Sequence, residues 1–274
     1  MIEFFKDFKP GTQFIFFLFT CVVSTILISF LGSAIAIPFF GMEALQDMNN
    51  NVPLMRYMQG VSQMGMFLVP ALVFAYLFYG NPIAYFSFQA KGCNKYLACL
   101  FLILFLVSIP VVEGLSVLNQ SFVYPEWMKG FELFMKELSE KNELLITQML
   151  DDKSIPALAA NIFIIGILPA FAEELFFRGV LQQLLIKWAK KTHLSVIIIA
   201  IVFSAIHLDF LNFLPRVFLG LILGYAFLYT KTIWVPILIH LINNISSVLL
   251  YYFVSDTSVV GNNYVLIALS VVAF

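Results

Sequence analysis

The chain has 274 residues, of which 61% are hydrophobic and 11% charged, with a formal net charge of −1. A soluble domain is roughly 45–50% apolar and about 25% charged, so these proportions exclude one and indicate an integral membrane protein, in keeping with a mean hydropathy of +0.95. The near-neutral charge supplies no basic surface for nucleic acid. The three cysteines, Cys21, Cys93 and Cys99, fit neither a disulfide framework nor a zinc-type spacing.

The first apolar run, Phe14–Phe40, exceeds the roughly 7–15 residues of a cleaved signal core and reads as a retained spanning helix. A transmembrane helix takes about 20 apolar residues. By that measure Phe14–Phe40, Gly60–Tyr79, Tyr96–Leu118, Ile155–Leu185, Leu194–His207, Phe213–Tyr229 and Trp234–Phe253 predict seven spans, with Tyr264–Phe274 an incomplete eighth. The expected fold is therefore all-α: a polytopic bundle of seven to eight transmembrane helices forming one membrane domain over residues 1–274. The short fifth and sixth runs, joined through Leu208–Asn212, leave room for a kinked or re-entrant element.

Between the third and fourth spans lies a polar segment, Asn119–Ser154. Trp127, Phe131, Phe134, Leu138, Leu145 and Met149 recur there at helical spacing, with Lys and Glu between them. That pattern predicts an amphipathic helix at the membrane surface, either a linker or a lid that guides substrate. Lys6, Lys9, Lys91, Lys95, Lys187, Lys190, Lys191 and Lys231 fall in alternate loops, against Arg56 and Arg216 in the opposite short ones. The bias puts the N-terminus in the cytoplasm.

The chemistry concentrates in Pro169–Gly179, where Glu173, Glu174 and Arg178 interrupt an apolar run from Ile162 to Ile186. Ionisable groups at bilayer depth are rare and usually face a bundle interior. Glu174 and Arg178, four apart, can pair on a helix; Glu173 points about 100° away and is left for another task. His207 closes the fifth span, and His240 and Asn244 share one face of the seventh; His193, beside Lys190 and Lys191, reads as interfacial. A lone intramembrane His or Asn is often a helix–helix hydrogen bond, and a Glu–Arg pair can be purely structural. Three helices each carrying polar groups that lipid excludes point instead to one shared interior site. Glu and His can deprotonate a water, and His and Asn can stabilise an oxyanion. Glu173, His207 and His240 are equally a possible Zn²⁺ set. No H-E-x-x-H or G-x-S-x-G occurs.

Glu173-Glu174-x-x-x-Arg178, Phe203-x-x-x-His207 and His240-x-x-x-Asn244, in that order, resemble the three motifs of the CPBP family, the CAAX-protease and bacteriocin-processing intramembrane proteases. Phe218–Gly224 and Trp234–Pro236 are similar to its connecting segment. The resemblance covers a core of about residues 155–247. It implies an endopeptidase in which Glu173 and His207 activate water, His240 and Asn244 stabilise the oxyanion, and Glu174 and Arg178 support them. Zinc-dependent and metal-free mechanisms both remain open. The partner would be a peptide or protein with a membrane-proximal cleavage site, cut near the cytoplasmic side of a bacterial cytoplasmic membrane. A non-catalytic immunity or scaffold protein of the same fold is the alternative, and a proton-coupled transporter a lesser one. Asp209 and Asn243 are neighbours of the motifs without an assigned role.

Overall fold

The computed structural model describes residues 3–5, 7–86, 88 and 93–253, and among these the secondary structure is helical throughout. The architecture rests on α1 (Pro10–Phe40), α2 (Val52–Tyr79), α3 (Lys95–Val107), α4 (Ile109–Gln120), α5 (Lys129–Leu150), α6 (Ile155–Ala189), α7 (Thr192–Ile206), α8 (Phe213–Thr230) and α9 (Trp234–Phe253). Helices are what apolar runs must form in lipid, where each backbone N–H and C=O needs a partner within its own segment. Proline at the first turn of α1, α2, α4, α6 and α9 suits positions whose N–H is unpaired in any case. Asn51 caps α2 by accepting from Leu54 N at 3.0 Å, and Gly80 ends it at φ 73°.

The seven apolar runs all become helices, but the expected seven to eight spans do not all follow. Among the described residues five helices, α1, α2, α6, α8 and α9, are long and apolar enough to cross a membrane, and six spans result if α3 and α4 count as one. At 15 residues, α7 is only about 22 Å long, short of a hydrocarbon core of about 30 Å. The third run breaks into α3 and α4 at 46°. Pro110 sits at the break, with no N–H to donate and a ring that crowds the carbonyl four residues back. Tyr264–Phe274 lies outside the described residues.

The central helix is α6, which packs against α2, α7 and α9, while α8 lies closely along α7. That contact depends on Gly220 and Gly224. A Cβ at Gly220 would stand 3.0 Å from Ala200 Cα, and one at Gly224 would stand 2.8 Å from Val196 Cγ1. Small residues let helix backbones approach closely in lipid. The amphipathic segment is α5, which buries Met135, Ser139, Met149 and Leu150 and leaves Trp127, ahead of it, 83% exposed.

Because the obstacle to a side chain at position 220 is backbone, it cannot simply rotate away. Gly220→Ala is expected to destabilise the protein by about 1–3 kcal/mol, measurable as a lowered unfolding midpoint in detergent.

Candidate active site

The two adjacent glutamates of α6 have different surroundings. Glu174 is fully buried, and its Oε1 accepts from Arg178 NH1 at 2.8 Å and from His240 Nδ1 at 2.9 Å. Arg178, also fully buried, spends NH2 on the Gly220 carbonyl at 3.1 Å. One ion pair therefore ties α6 to α8 and α9. The Phe203 ring fills the space between, 4.7 Å from the Arg178 guanidinium and edge-on to both His207 and His240.

Glu173 faces the other way. Its Oε1 accepts from Gln63 Nε2 at 3.2 Å, and its Oε2 lies 3.8 Å from His207 Nε2 without a hydrogen-bond partner. His207 Nδ1 is 2.7 Å from the Phe203 carbonyl. A carbonyl only accepts, so Nδ1 carries a proton and, in the neutral ring, Nε2 presents a lone pair toward Glu173. Two acceptors thus face each other at a distance too long for a direct bond and short enough for one water to bond both.

His240 and Asn244 are joined to the same place. Asn244 Nδ2 donates to the Ile165 carbonyl at 3.1 Å, and Asn243 Nδ2 donates to Asn244 Oδ1 at 3.2 Å. Ile165 lies in a π-helical stretch, Ile162–Ile167, a departure from α geometry often found at functional sites. Glu173, His207, His240 and Asn244 all line one cavity of about 300 Å³.

The sequence placed this cavity between the fourth, fifth and seventh runs. The structure adds α2 and α5, whose Gln63 and Asn142 also line it. Gln63 was overlooked, although an amide inside an apolar run is itself a signal. Asp209, given no role above, accepts from Ser139 Oγ of α5 at 2.9 Å, Asn212 Nδ2 at 2.7 Å and Arg216 NH2 at 3.2 Å. It anchors the turn just past His207 and binds α5 to it. Arg216 and Arg56, read as loop charges, are helix residues; Arg216 is only 1% exposed, and Arg56 donates to the Met149 carbonyl at 2.6 Å and to Asn161. The cavity also lies toward the end of α6 that adjoins α5, away from Lys187–Lys191, the end beside which cleavage was expected.

Among the described residues no three His, Cys, Asp or Glu side chains are grouped so as to hold a metal ion as they stand. Both imidazole Nδ1 atoms are held, by Glu174 and by the Phe203 carbonyl, which leaves Nε2 of each ring as its free nitrogen. Glu173, His207 and His240, the triad expected for Zn²⁺, all line the one cavity.

Residues 155–246 match the family model described as type II CAAX prenyl endopeptidase Rce1-like. This stretch is similar to that family. It carries Glu173, Glu174, Arg178, His207, His240 and Asn244, whereas Gln63 and α5 lie outside the matched segment. A curated relative, an uncharacterized 24.3 kDa protein of Escherichia coli, is 28% identical over 176 residues, covering 61% of this chain and 81% of its own. No solved structure matches the chain.

Removing Asp209 would strand the Arg216 charge in the interior. Asp209→Ala is expected to cost about 3–5 kcal/mol, and an apolar pair at both positions to recover much of it. Thermal unfolding of the single and double variants checks this.

Proposed function

We propose that the cavity is the active site of an intramembrane endopeptidase that attacks a peptide bond with water. The observation that carries the reading is the facing pair of acceptors, Glu173 Oε2 and His207 Nε2, 3.8 Å apart on the wall of that cavity. A water bonded to both is oriented by His207 and gives a proton to Glu173 as its oxygen attacks the scissile carbonyl. The new oxyanion accepts from the free Nδ2 proton of Asn244 and from Nε2–H of His240. His240 donates there only as the imidazolium, because its Nδ1 proton is held by Glu174. Glu173 then passes its proton to the departing amine, the C–N bond breaks, and carboxylic acid and amine leave.

Glu174 and Arg178 hold His240 and the α6–α8 contact without touching substrate. Gln63 fixes the Glu173 carboxylate so that Oε2 turns toward His207. No step is routed through a metal ion. The Rce1-like match supports the reaction class. The chain is taken to lie in a bacterial cytoplasmic membrane with its N-terminus in the cytoplasm, on the lysine bias of alternate loops.

Glu173→Gln and His207→Ala are each expected to lower peptide cleavage by roughly 10²–10⁴-fold with unfolding midpoints close to that of the parent. Full activity in both would remove the Glu173–His207 pair from the reaction and overturn this reading of the cavity. Gln63→Met, which keeps the shape and loses the donor, is expected to reduce kcat with KM little changed. Chelator is expected to leave cleavage intact; a loss restored by Zn²⁺ would require a metal mechanism instead.

A further inference from the structure

Two helices outside the matched segment face each other across the cavity, and each turns a stripe of side chains to it. Gln59, Ser62, Gln63 and Met66 of α2 line one side. Asn142, Leu145, Ile146 and Met149 of α5 line the other. Both sets follow the spacing i, i+3, i+4, i+7, which is one face of a helix. The charged residues of that stretch of α5, Glu140, Lys141 and Glu143, are exposed on its other faces.

The phase of α5 is fixed from both ends. Ser139 Oγ donates to Asp209 at 2.9 Å, and the Met149 carbonyl accepts from Arg56 at 2.6 Å and from Asn161 at 2.8 Å. Ser139, Asn142, Ile146 and Met149 repeat at helical spacing, so the anchors and the cavity residues share a face. A wall held this way is preorganised, and little order has to be imposed on it when a ligand arrives.

The stripe on α5 changes character along its length. Leu145, Ile146 and Met149, toward its C-terminus, are apolar. Asn142, one turn earlier, presents to the cavity an amide that no described residue bonds, and the side chains of Gln59 and Ser62 opposite are alike in this. Polar groups on a cavity wall are satisfied by water or by a ligand. A side-chain amide offers the donor and the acceptor that a peptide group needs. On α2 these groups continue outward from Gln63, which bonds Glu173, so the row begins at the reacting pair.

We propose that α5 is the wall that selects the substrate: Asn142, with Gln59 and Ser62 opposite, bonds the main chain of an extended peptide, and Leu145, Ile146 and Met149 take one uncharged apolar side chain beside the bond that is cut. The main chain has to be extended, because a helix keeps its own N–H and C=O groups. A charged side chain at that position would lie among apolar groups without a counter-ion and is rejected. This rests on the hydrolytic reading of Glu173 and His207 for the reaction, and on the two facing stripes for the choice of peptide.

The full chain, purified in detergent, is assayed with internally quenched peptides that are identical except at one of the two residues flanking the cleaved bond, which is Ala, Leu, Phe, Lys or Glu. At one of those two positions, Leu and Phe peptides are expected to exceed Lys and Glu peptides in kcat/KM by on the order of 10²-fold. Ile146→Ala, which deepens the subsite, is expected to raise the ratio of Phe to Ala cleavage there roughly 10-fold, and Ile146→Phe to lower it by about as much. Asn142→Leu is expected to raise KM roughly 3–10-fold for every peptide with kcat unchanged. Leu144→Ala, at a side chain 57% exposed on another face of the same helix, is expected to change neither. Equal cleavage of charged and apolar peptides overturns the proposal, and so do Phe-to-Ala ratios that both Ile146 variants leave at the parent value. Each ratio is taken within one variant, so partial unfolding does not mimic a shift. Glu173→Gln separates the two readings. Unmoved ratios with that variant inactive sink the role of α5 and spare the hydrolase, whereas shifted ratios with that variant fully active sink the Glu173 mechanism and leave α5 as the selecting wall.

Discussion

A buried cation must be met by an anion and by dipoles, and the interior of this bundle is arranged around that requirement at Arg178. Glu174 supplies the charge and the Gly220 carbonyl a further acceptor. That carbonyl is within reach because Gly220 has no Cβ to hold α8 away from α7. Breaking such a pair from one side costs about 3–5 kcal/mol, since the surviving charge is left without solvent. His240 shares the same carboxylate oxygen, so the interaction that holds three helices together also fixes the orientation of a ring on the cavity wall. Stability and site geometry are one constraint here.

Departures from α geometry recur around the site, and each is reconciled with the lipid rule that no backbone group stays unpaired. Among the described residues three π-helical stretches occur, at Met64–Leu68, Ile162–Ile167 and Leu175–Gln182. In each, a side chain takes one carbonyl: Ser24 takes that of Gly65, Asn244 that of Ile165, and Gln183 that of Gly179. The last two stretches flank Glu173 and Glu174. The pair itself lies in regular α-helix, Leu168–Glu174, where adjacent side chains diverge by about 100°, so one carboxylate turns to Arg178 and its neighbour to the cavity. The amide of Asn244 serves both a helix distortion and the cavity wall.

The cavity is also closed by elements distant in sequence. Through Ser139, α5 is bound to Asp209, two residues beyond His207, and Asn119 holds the following turn by donating to the Phe210 carbonyl at 2.7 Å and accepting from Leu214 N at 2.9 Å. His207 itself ends α7, followed by Leu208 in the left-handed region at φ 54°, a conformation that a bulky residue adopts only when its surroundings enforce it. A helix that reads in isolation as a surface linker is here part of the cavity wall, through Asn142, Leu145, Ile146 and Met149.

The sequence alone determined that the chain is helical and membrane-embedded, where its apolar runs lie, and that Glu174 would find Arg178 four residues on. Those are local properties, set by hydropathy and by the 3.6-residue period. It also nominated Glu173, His207, His240 and Asn244, because polar groups stand out against lipid-compatible neighbours. Tertiary structure alone decided that the third run is bent, that His240 bonds Glu174 while Glu173 turns to Gln63 and His207, and that α5 walls the cavity. It also put the cavity in the half away from Lys187–Lys191. These outcomes depend on which faces of distant helices meet, and hydropathy and the helical period of each run leave that open.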